Sequence, residues 1–323
     1  MLRRTALMAA GLLAFRPAQA QTQPQGWTPD GPLRVVVPFP PGAGIDVLAR
    51  QLAGAVQADL GAPLVVENRP GGGTLVATEA MLRTPPDGQA MLMVANSFTV
   101  NPSLHRPSPY DPLRQFTPLA LLTEVPHVLV AHPALAGDFA GFLEKARRAG
   151  PGLSFGSNGQ GTSLHLGAEH LKLLAGLNAT HVPYRGTPQV MTDLIAGRVD
   201  WMYGNLPDVL PMLRDGRLRA LALAAPKRSA FLPDVPTLGE LGFPAAISDS
   251  WYGVVMPAGG RPEVAARLGA AWLGALRRPD VEAKLRDQGF DILGQGPEGF
   301  AARIRRDIGV YAEVIRVAQL KPE

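Results

Sequence analysis

The sequence predicts an α/β protein divided between two lobes, each built on a parallel or mixed sheet. Apolar, β-branched segments of strand length alternate with segments of helical periodicity, which is typical of βαβ units. About 300 residues follow an N-terminal leader, more than one hydrophobic core usually holds. Two Gly-rich turns, at 42–44 and 156–161, follow predicted strands in different parts of the chain. Because ligands of open parallel sheets bind beyond the carboxyl ends of strands, we expect both turns to border one cleft.

The first twenty residues are typical of a secretory signal peptide. Arg3 and Arg4 precede the apolar run Ala6–Phe15, and Ala18–Ala20 supplies a cleavage sequence, with cleavage expected after Ala20. The paired arginines leave both the general secretory (Sec) route and the twin-arginine route open. No later stretch has the roughly 18 consecutive apolar residues of a membrane-spanning helix. We therefore expect the mature chain to be free in the space outside the inner membrane.

Composition excludes several classes of function. The formal charge of +4 includes three arginines of the leader, which carries no acidic residue, so the remainder carries +1. Aromatic residues make up only 6% of the chain and are not interleaved with a run of Lys or Arg, so we expect no nucleic-acid partner. The chain has no cysteine, which excludes disulfides, thiol catalysis and a lipid-anchoring cysteine.

The first predicted strand leads into the first Gly-rich turn. Val35–Val37 suits a strand covered on both faces, Pro40–Pro41 ends it, and Gly42–Gly44 allows a tight turn. A helix follows, with Asp46 as its predicted N-cap rather than a catalytic acid, and it ends at Gly61. Such a turn presents unpaired backbone amides at the positive end of a helix, where an anion binds favourably. The spacing matches neither a Walker loop nor a dinucleotide fingerprint.

The remaining elements follow in order along the chain. Before the second turn we predict strands at 64–67 and 91–95, a helix ending at 82, irregular chain at 101–117, an extended crossing between the lobes at 118–131 and a helix ending at 149. From there we predict strands at 153–155, 180–183, 199–203 and 218–224, alternating with helices at 164–175, 190–196 and 209–213. A return strand at 251–256 and amphipathic helices at 264–277, 281–288 and 300–317 complete the chain.

Several motifs resemble those of one family. They are Pro38–Asp46, Glu67–Gly71, Gly156–Gly161 and His181–Gly186, and the match continues at Pro236–Leu238 and Trp251–Gly253. Together they resemble the Bug proteins, the TctC-like solute-binding receptors of tripartite tricarboxylate transporters, over essentially the whole mature chain. The resemblance implies a periplasmic binding protein of the second topological type, with a hinge between lobe 1 (27–122 and 249–323) and lobe 2 (123–248). It also implies that a small carboxylate is captured in the interlobe cleft and delivered to the permease subunits of the transporter. We expect a monomer without cofactor, metal or catalytic residue.

The resemblance also assigns candidate binding residues. Carried over by position, they are Phe39, Gly42, Ala43, Gly44, Ile45, Asp46 and Ser97 in lobe 1, and Ser157, Thr162, Ser163 and Asn205 in lobe 2. In the family, backbone amides and ordered waters hold much of the acid, and here no Lys or Arg lies within either Gly-rich turn. Ala43 and Ile45 replace a glycine and a hydroxyl residue that the family usually has, which points to a less polar ligand.

Two other interpretations stay open on the sequence. An exported enzyme could use the same scaffold, although Gly161–His165 lacks the Gly-x-Ser-x-Gly of a nucleophile elbow. The receptor could also serve a sensor kinase instead of a permease. His165 and His170 point apart on their helix, which disfavours a metal site, and His181 suits a structural role better than a ligand contact. Arg185 suits a surface position and a charge partner for the ligand equally well.

Overall fold

The computed structural model describes residues 27–317 and 319–321, so the predicted signal peptide lies outside the described residues. The strands are β1 (Leu33–Val37), β2 (Leu64–Asn68), β3 (Ala90–Val94), β4 (Phe116–Ala131), β5 (Leu153–Ser157), β6 (Ala179–Pro183), β7 (Trp201–Asn205), β8 (Arg219–Leu223), β9 (Asp249–Pro257) and β10 (Asp291–Gln295). The helices are α1 (Gly44–Leu60), α2 (Leu75–Leu82), α3 (Ser97–Leu104), α4 (Phe139–Ala149), α5 (Ser163–Ala175), α6 (Thr187–Ile195), α7 (Leu206–Arg214), α8 (Pro262–Leu276), α9 (Pro279–Asp287) and α10 (Pro297–Val317). Within the described ranges, no helix has both the length and the apolar content needed to cross a membrane.

The sheet is divided into two halves that share the long strand β4. The strand order is β2-β1-β3-β9-β4-β7-β5-β6, and β8 and β10 also pair with β4. Residues 116–126 of β4 pair antiparallel with β9, whereas residues 127–131 pair antiparallel with β7. Strands β1, β2 and β3 are parallel to one another in lobe 1, as are β5, β6 and β7 in lobe 2. The molecule therefore has two lobes around one shared strand, and the residue boundaries expected for them stay a prediction.

Lobe 1 has three layers because its strands bury both faces. On β1, Leu33, Val35 and Val37 face the core formed with α1 and α8, whereas Val36 faces the core formed with α2 and α10. Alternate residues of a strand point to opposite faces, so a run of valines suits a strand that is covered on both sides. Lobe 2 has a separate core around β5 and β7, in which the rings of Phe155 and Trp201 stack. The apolar runs in the sequence thus account for both cores.

Helix α3 corrects the sequence interpretation, which expected irregular chain from residue 101. Pro102 lies inside this helix and cannot donate to the carbonyl of Phe98, four residues earlier. The hydroxyl of Tyr110 donates to that carbonyl instead, at 3.1 Å, and the two rings stack. The helix therefore tolerates the proline because a later residue satisfies the carbonyl that the proline leaves free. Strand β10 is a second element that the sequence interpretation lacked.

A buried ion-pair cluster fixes α10 to the shared strand. The Arg303 guanidinium, only 11% exposed, donates to Glu124 on β4, Asp249 on β9 and Asp307 on α10, each at 2.8 Å. Asp307 also accepts from the indole N–H of Trp251 at 2.8 Å. Glu124 and Asp249 lie next to the point where β4 passes from one lobe to the other. Because removing one partner of a buried cluster leaves charges unpaired, this arrangement holds the crossing in a defined geometry.

Candidate functional site

A small cavity lies between the two lobes, at the ends of β1, β3, β5 and β7. Among the predicted site residues, its wall contains Phe39, Ala43, Gly44, Ile45, Ser97, Thr162, Ser163 and Asn205. The sequence interpretation missed further wall residues, namely Ala95, Asn158, Thr187, Asp208, Ser250 and Tyr252. The space open to the centre of a water molecule is about 10 Å³, roughly the room for one water. The structure thus brings both Gly-rich turns to one site, with the lobes closed upon it.

Several helices begin at this cavity, among them α1 of lobe 1 and α5 of lobe 2. Helix α1 starts at Gly44 after Ala43, which has no side-chain oxygen to cap it. Helix α5 starts at Ser163, and its N-cap Thr162 accepts from the backbone amide of His165 at 3.4 Å. The first amides of a helix have no acceptor within the helix. Both helix ends therefore have first-turn donors at the cavity wall, together with the positive end of a helix dipole.

Asp46 lies on α1 but not on the cavity wall, and its predicted role as N-cap is wrong. It is the third residue of the helix, and its carboxylate accepts from Gly42 N at 2.9 Å, Arg50 Nε at 3.0 Å and Asn68 Nδ2 at 2.8 Å. Burial acts to raise its pKa, but the hydrogen bonds from Arg50, Gly42 and Asn68 hold the pKa below the usual value. Asn68 also donates to the carbonyl of Phe39. Asp46 and Gly42 therefore stabilise the first turn through their hydrogen bond, although neither residue lines the cavity.

Ser157, the third predicted residue outside the wall, supports the second turn. Its hydroxyl is hydrogen-bonded to Nε2 of His181 at 2.7 Å and accepts from the amide of Gly159. The ring of His181 stacks on that of His165, with centroids 3.9 Å apart, and Nδ1 of His165 accepts from the amide of Gly161. The two histidines thus hold the backbone of the turn through its amides and through Ser157.

A chain of hydrogen bonds joins the second turn to the strand crossing. Ser163 Oγ lies 2.7 Å from Ser250 Oγ, which lies 2.9 Å from Nε2 of His127. Nδ1 of His127 lies 2.9 Å from Ser248 Oγ. Burial lowers the pKa of His127 to about 3, so its ring is neutral at pH 7. The start of α5 is therefore tied to β4 and β9, the strands at the crossing.

A carboxylate reaches the cavity from lobe 2. Asp208, in the first turn of α7, accepts a hydrogen bond from Asn205 Nδ2 at 3.0 Å, and its Oδ1 would lie 2.9 Å from a Cβ on Gly44. Asn205 Nδ2 also donates to the hydroxyl of Tyr252 at 3.0 Å. Burial raises the pKa of Asp208 to about 6. The sequence interpretation missed Asp208 because an acidic residue in the first turn of a helix is ordinary on its own; its position directly after a strand end was the usable pattern.

Comparison with known proteins places the chain among bacterial solute-binding receptors. Residues 48–310 match the model of the tripartite tricarboxylate transporter family receptors. Protein BugT of Bordetella pertussis is 34% identical over 96% of this chain and 94% of its own length. The fold is that of the periplasmic binding protein BugD, with a TM-score of 0.88 at 28% identity, over 91% of this chain and all of that one.

Two similar solved structures contain organic acids. Rpa4515 of R. palustris with adipate is 30% identical over 91% of this chain and 99% of that chain, with a TM-score of 0.87. MatC of Rhodopseudomonas palustris with bound malate is 30% identical over 89% of this chain and 99% of that chain, with a TM-score of 0.85. These likenesses confirm the predicted fold class, a periplasmic binding protein with two mixed-sheet lobes.

Three buried histidines predict a loss of stability in acid. Burial lowers the pKa of His127 and His165 to about 3 and that of His181 to about 4, against about 6.5 in an unfolded chain. Protonation therefore favours the unfolded chain. Each histidine should lower the free energy of unfolding by about 1.4 kcal/mol per pH unit as the pH falls from 6.5 towards these values.

Urea denaturation at pH 7.5, 6.0, 5.0 and 4.5 measures this slope. His127→Gln should reduce the slope of the free energy of unfolding against pH by about 1.4 kcal/mol per pH unit, because one of the three titrating rings is absent. Ser248→Ala, which disturbs the same cluster but keeps the imidazole, should retain it. An equal slope in His127→Gln and in the wild type would contradict the assignment to His127.

Proposed function

The chain belongs to the tripartite tricarboxylate transporter receptor family, and we propose that it is a periplasmic receptor that captures a small organic acid between its lobes. The observation that carries this proposal is the pair of helix N-termini at one cavity. Among the described residues, no Lys or Arg lines that cavity. The acid is then held by backbone amides and hydroxyls rather than by an ion pair. Adipate and malate in the two similar structures support a carboxylate as the ligand.

The start of α5 is the position for the acid. The amides of Ser163 and Leu164 precede the first bond of the helix, which runs from Leu166 to the carbonyl of Thr162. A carboxylate accepts charge-assisted hydrogen bonds from such donors, which are about twice as strong as bonds between neutral groups. Water is excluded when the lobes close, and the lower local dielectric strengthens these bonds further. Phe39 and Ile45 offer apolar surface to the rest of the ligand.

Lobe movement admits the ligand, because the closed cavity has room for only about one water. The closed form brings backbone from the two lobes into close approach at glycines. A Cβ on Gly186 of lobe 2 would lie 2.4 Å from Pro40 Cδ of lobe 1, and one on Gly73 would lie 2.4 Å from the carbonyl of Gln160. These contacts between the lobes support hinge closure around a ligand.

Binding without chemical conversion follows from the same residues. Ser250 is hydrogen-bonded to one ring nitrogen of His127, but the other ring nitrogen is hydrogen-bonded to Ser248 and, among the described residues, to no carboxylate. Its pKa of about 3 makes it a poor base at neutral pH. We propose that the receptor acts as a periplasmic monomer. It delivers the bound acid to the permease subunits of a tripartite transporter.

The variants Ser163→Pro and Ser163→Ala test the acid position. Proline is tolerated at the first position of a helix, and Thr162 already has the extended conformation that must precede it (φ −81°, ψ 161°). The proline removes the amide donor, whereas alanine removes only the hydroxyl. Loss of one hydrogen bond to a charged group corresponds to about 1.5–3 kcal/mol, or roughly 10- to 150-fold in affinity.

Isothermal titration calorimetry compares the affinities of these two variants for an acid that a thermal-shift screen has identified. In the screen, an acid at 100 times its Kd should add about 2.7 kcal/mol to the free energy of unfolding. Ser163→Pro should then bind that acid at least about tenfold more weakly than Ser163→Ala. Equal affinity of the two variants would contradict the assigned position, and the absence of any stabilising acid would contradict the proposed function.

The variant Gly186→Ala tests closure. Gly186 has φ 167°, an extended conformation that alanine adopts without strain, so the added methyl acts only against Pro40 in the closed form. We expect a larger radius of gyration by small-angle X-ray scattering and weaker acid binding. Gly152→Ala is the matched control, because a Cβ there meets nothing within 4 Å. A Gly186→Ala protein with the same radius and affinity as the control would contradict the closure mechanism.

A further inference from the structure

One helix N-terminus in the cleft lies beside a carboxylate of the chain itself. Asp208 belongs to lobe 2, yet its carboxylate lies beside Gly44, the first residue of α1 in lobe 1. The approach is close, since a Cβ on Gly44 would lie 2.9 Å from Asp208 Oδ1. A negative group at this end of α1 is also favoured by the helix dipole. Asp208 thus occupies the position that the sequence predicts for the anion of a ligand.

The surroundings of Asp208 in the cavity are polar but not basic. Asn205 Nδ2 donates to Oδ2 at 3.0 Å, and Thr187 also lines the cavity. Of the described residues, no Lys or Arg lines the cavity to compensate a second negative charge.

We propose that Asp208 makes this receptor selective for acids with a single carboxylate, bound at the start of α5, and excludes acids that carry a second one. The proposal rests on the proposed function and specifies its ligand class. A second carboxylate that reached the start of α1 would have the like charge of Asp208 beside it. Like charges placed together without compensation disfavour binding strongly. The apolar side chains of Phe39 and Ile45, 6% and 2% exposed, instead suit an uncharged end of the ligand.

The two similar structures contain acids of a different class. Adipate and malate each carry two carboxylates. With the charge of Asp208 at the start of α1, this chain should prefer the corresponding monocarboxylates.

The test compares acids of equal length in three variants. Hexanoate is paired with adipate and butyrate with succinate, and each is titrated at pH 7.5, above the raised pKa of Asp208. Asp208→Asn removes the charge at nearly constant size, and Asp208→Ala also removes the side chain that lies beside Gly44. Asp215→Asn is the matched control, because Asp215 is an exposed carboxylate at the end of the same helix.

We expect the wild type and Asp215→Asn to bind the monocarboxylate of a pair more tightly. Asp208→Asn and Asp208→Ala should raise the affinity for the dicarboxylate at least about tenfold, with a smaller change for the monocarboxylate. Wild-type preference for the dicarboxylate, or an unchanged ratio in both Asp208 variants, would overturn this proposal and leave the proposed function standing. No binding of any acid by any folded variant would overturn both.

Discussion

The amides in the first turn of a helix cannot be satisfied inside that helix, and this constraint determines what the cleft binds. Helices α1 and α5 both begin at the cavity, at the ends of β-strands in opposite lobes. At the start of α1, the carboxylate of Asp208 lies beside Gly44. We propose that the start of α5, at Ser163 and Leu164, takes its acceptor from the ligand. On this proposal, ligand choice depends on the negative charge that lies beside one helix end and not beside the other.

The strand crossing connects this asymmetry to lobe movement. Strand β4 pairs with lobe 1 up to residue 126 and with lobe 2 from residue 127, so any rotation of the lobes acts on this point. His127 lies there, and its hydrogen bonds lead through Ser250 to Ser163 at the acid position. The Arg303 cluster holds the neighbouring residues Glu124 and Asp249 in place. Neutral, buried side chains thus connect Ser163 by hydrogen bonds to the point where β4 passes from one lobe to the other.

Much of the fold could be predicted from the sequence because its local patterns agree with its tertiary structure. The valines of β1, the αL glycines Gly61 and Gly176 after α1 and α5, and the order of strands and helices are all local features. Helix α3 was missed because only Tyr110, eight residues after Pro102, satisfies the carbonyl that the proline leaves free. The role of Asp46 was predicted wrongly because its contacts with Gly42 and Asn68 form only when the turn is folded against β2. The position of Asp208 just after β7 could have placed it near the cleft, but only the fold shows that its carboxylate lies beside Gly44.

The most direct test of the central claim is an NMR titration of uniformly ¹⁵N-labelled protein with a carboxylate that binds it. A charge-assisted hydrogen bond moves an amide proton downfield, so the amides of Ser163 and Leu164 should shift strongly on binding. The amide of Gly44 should shift little, because the negative charge of Asp208 beside it keeps the acid away from this helix end. A strong shift at Gly44 with none at Ser163 or Leu164 would contradict the account, because the acid would then lie at the helix end that we assign to Asp208.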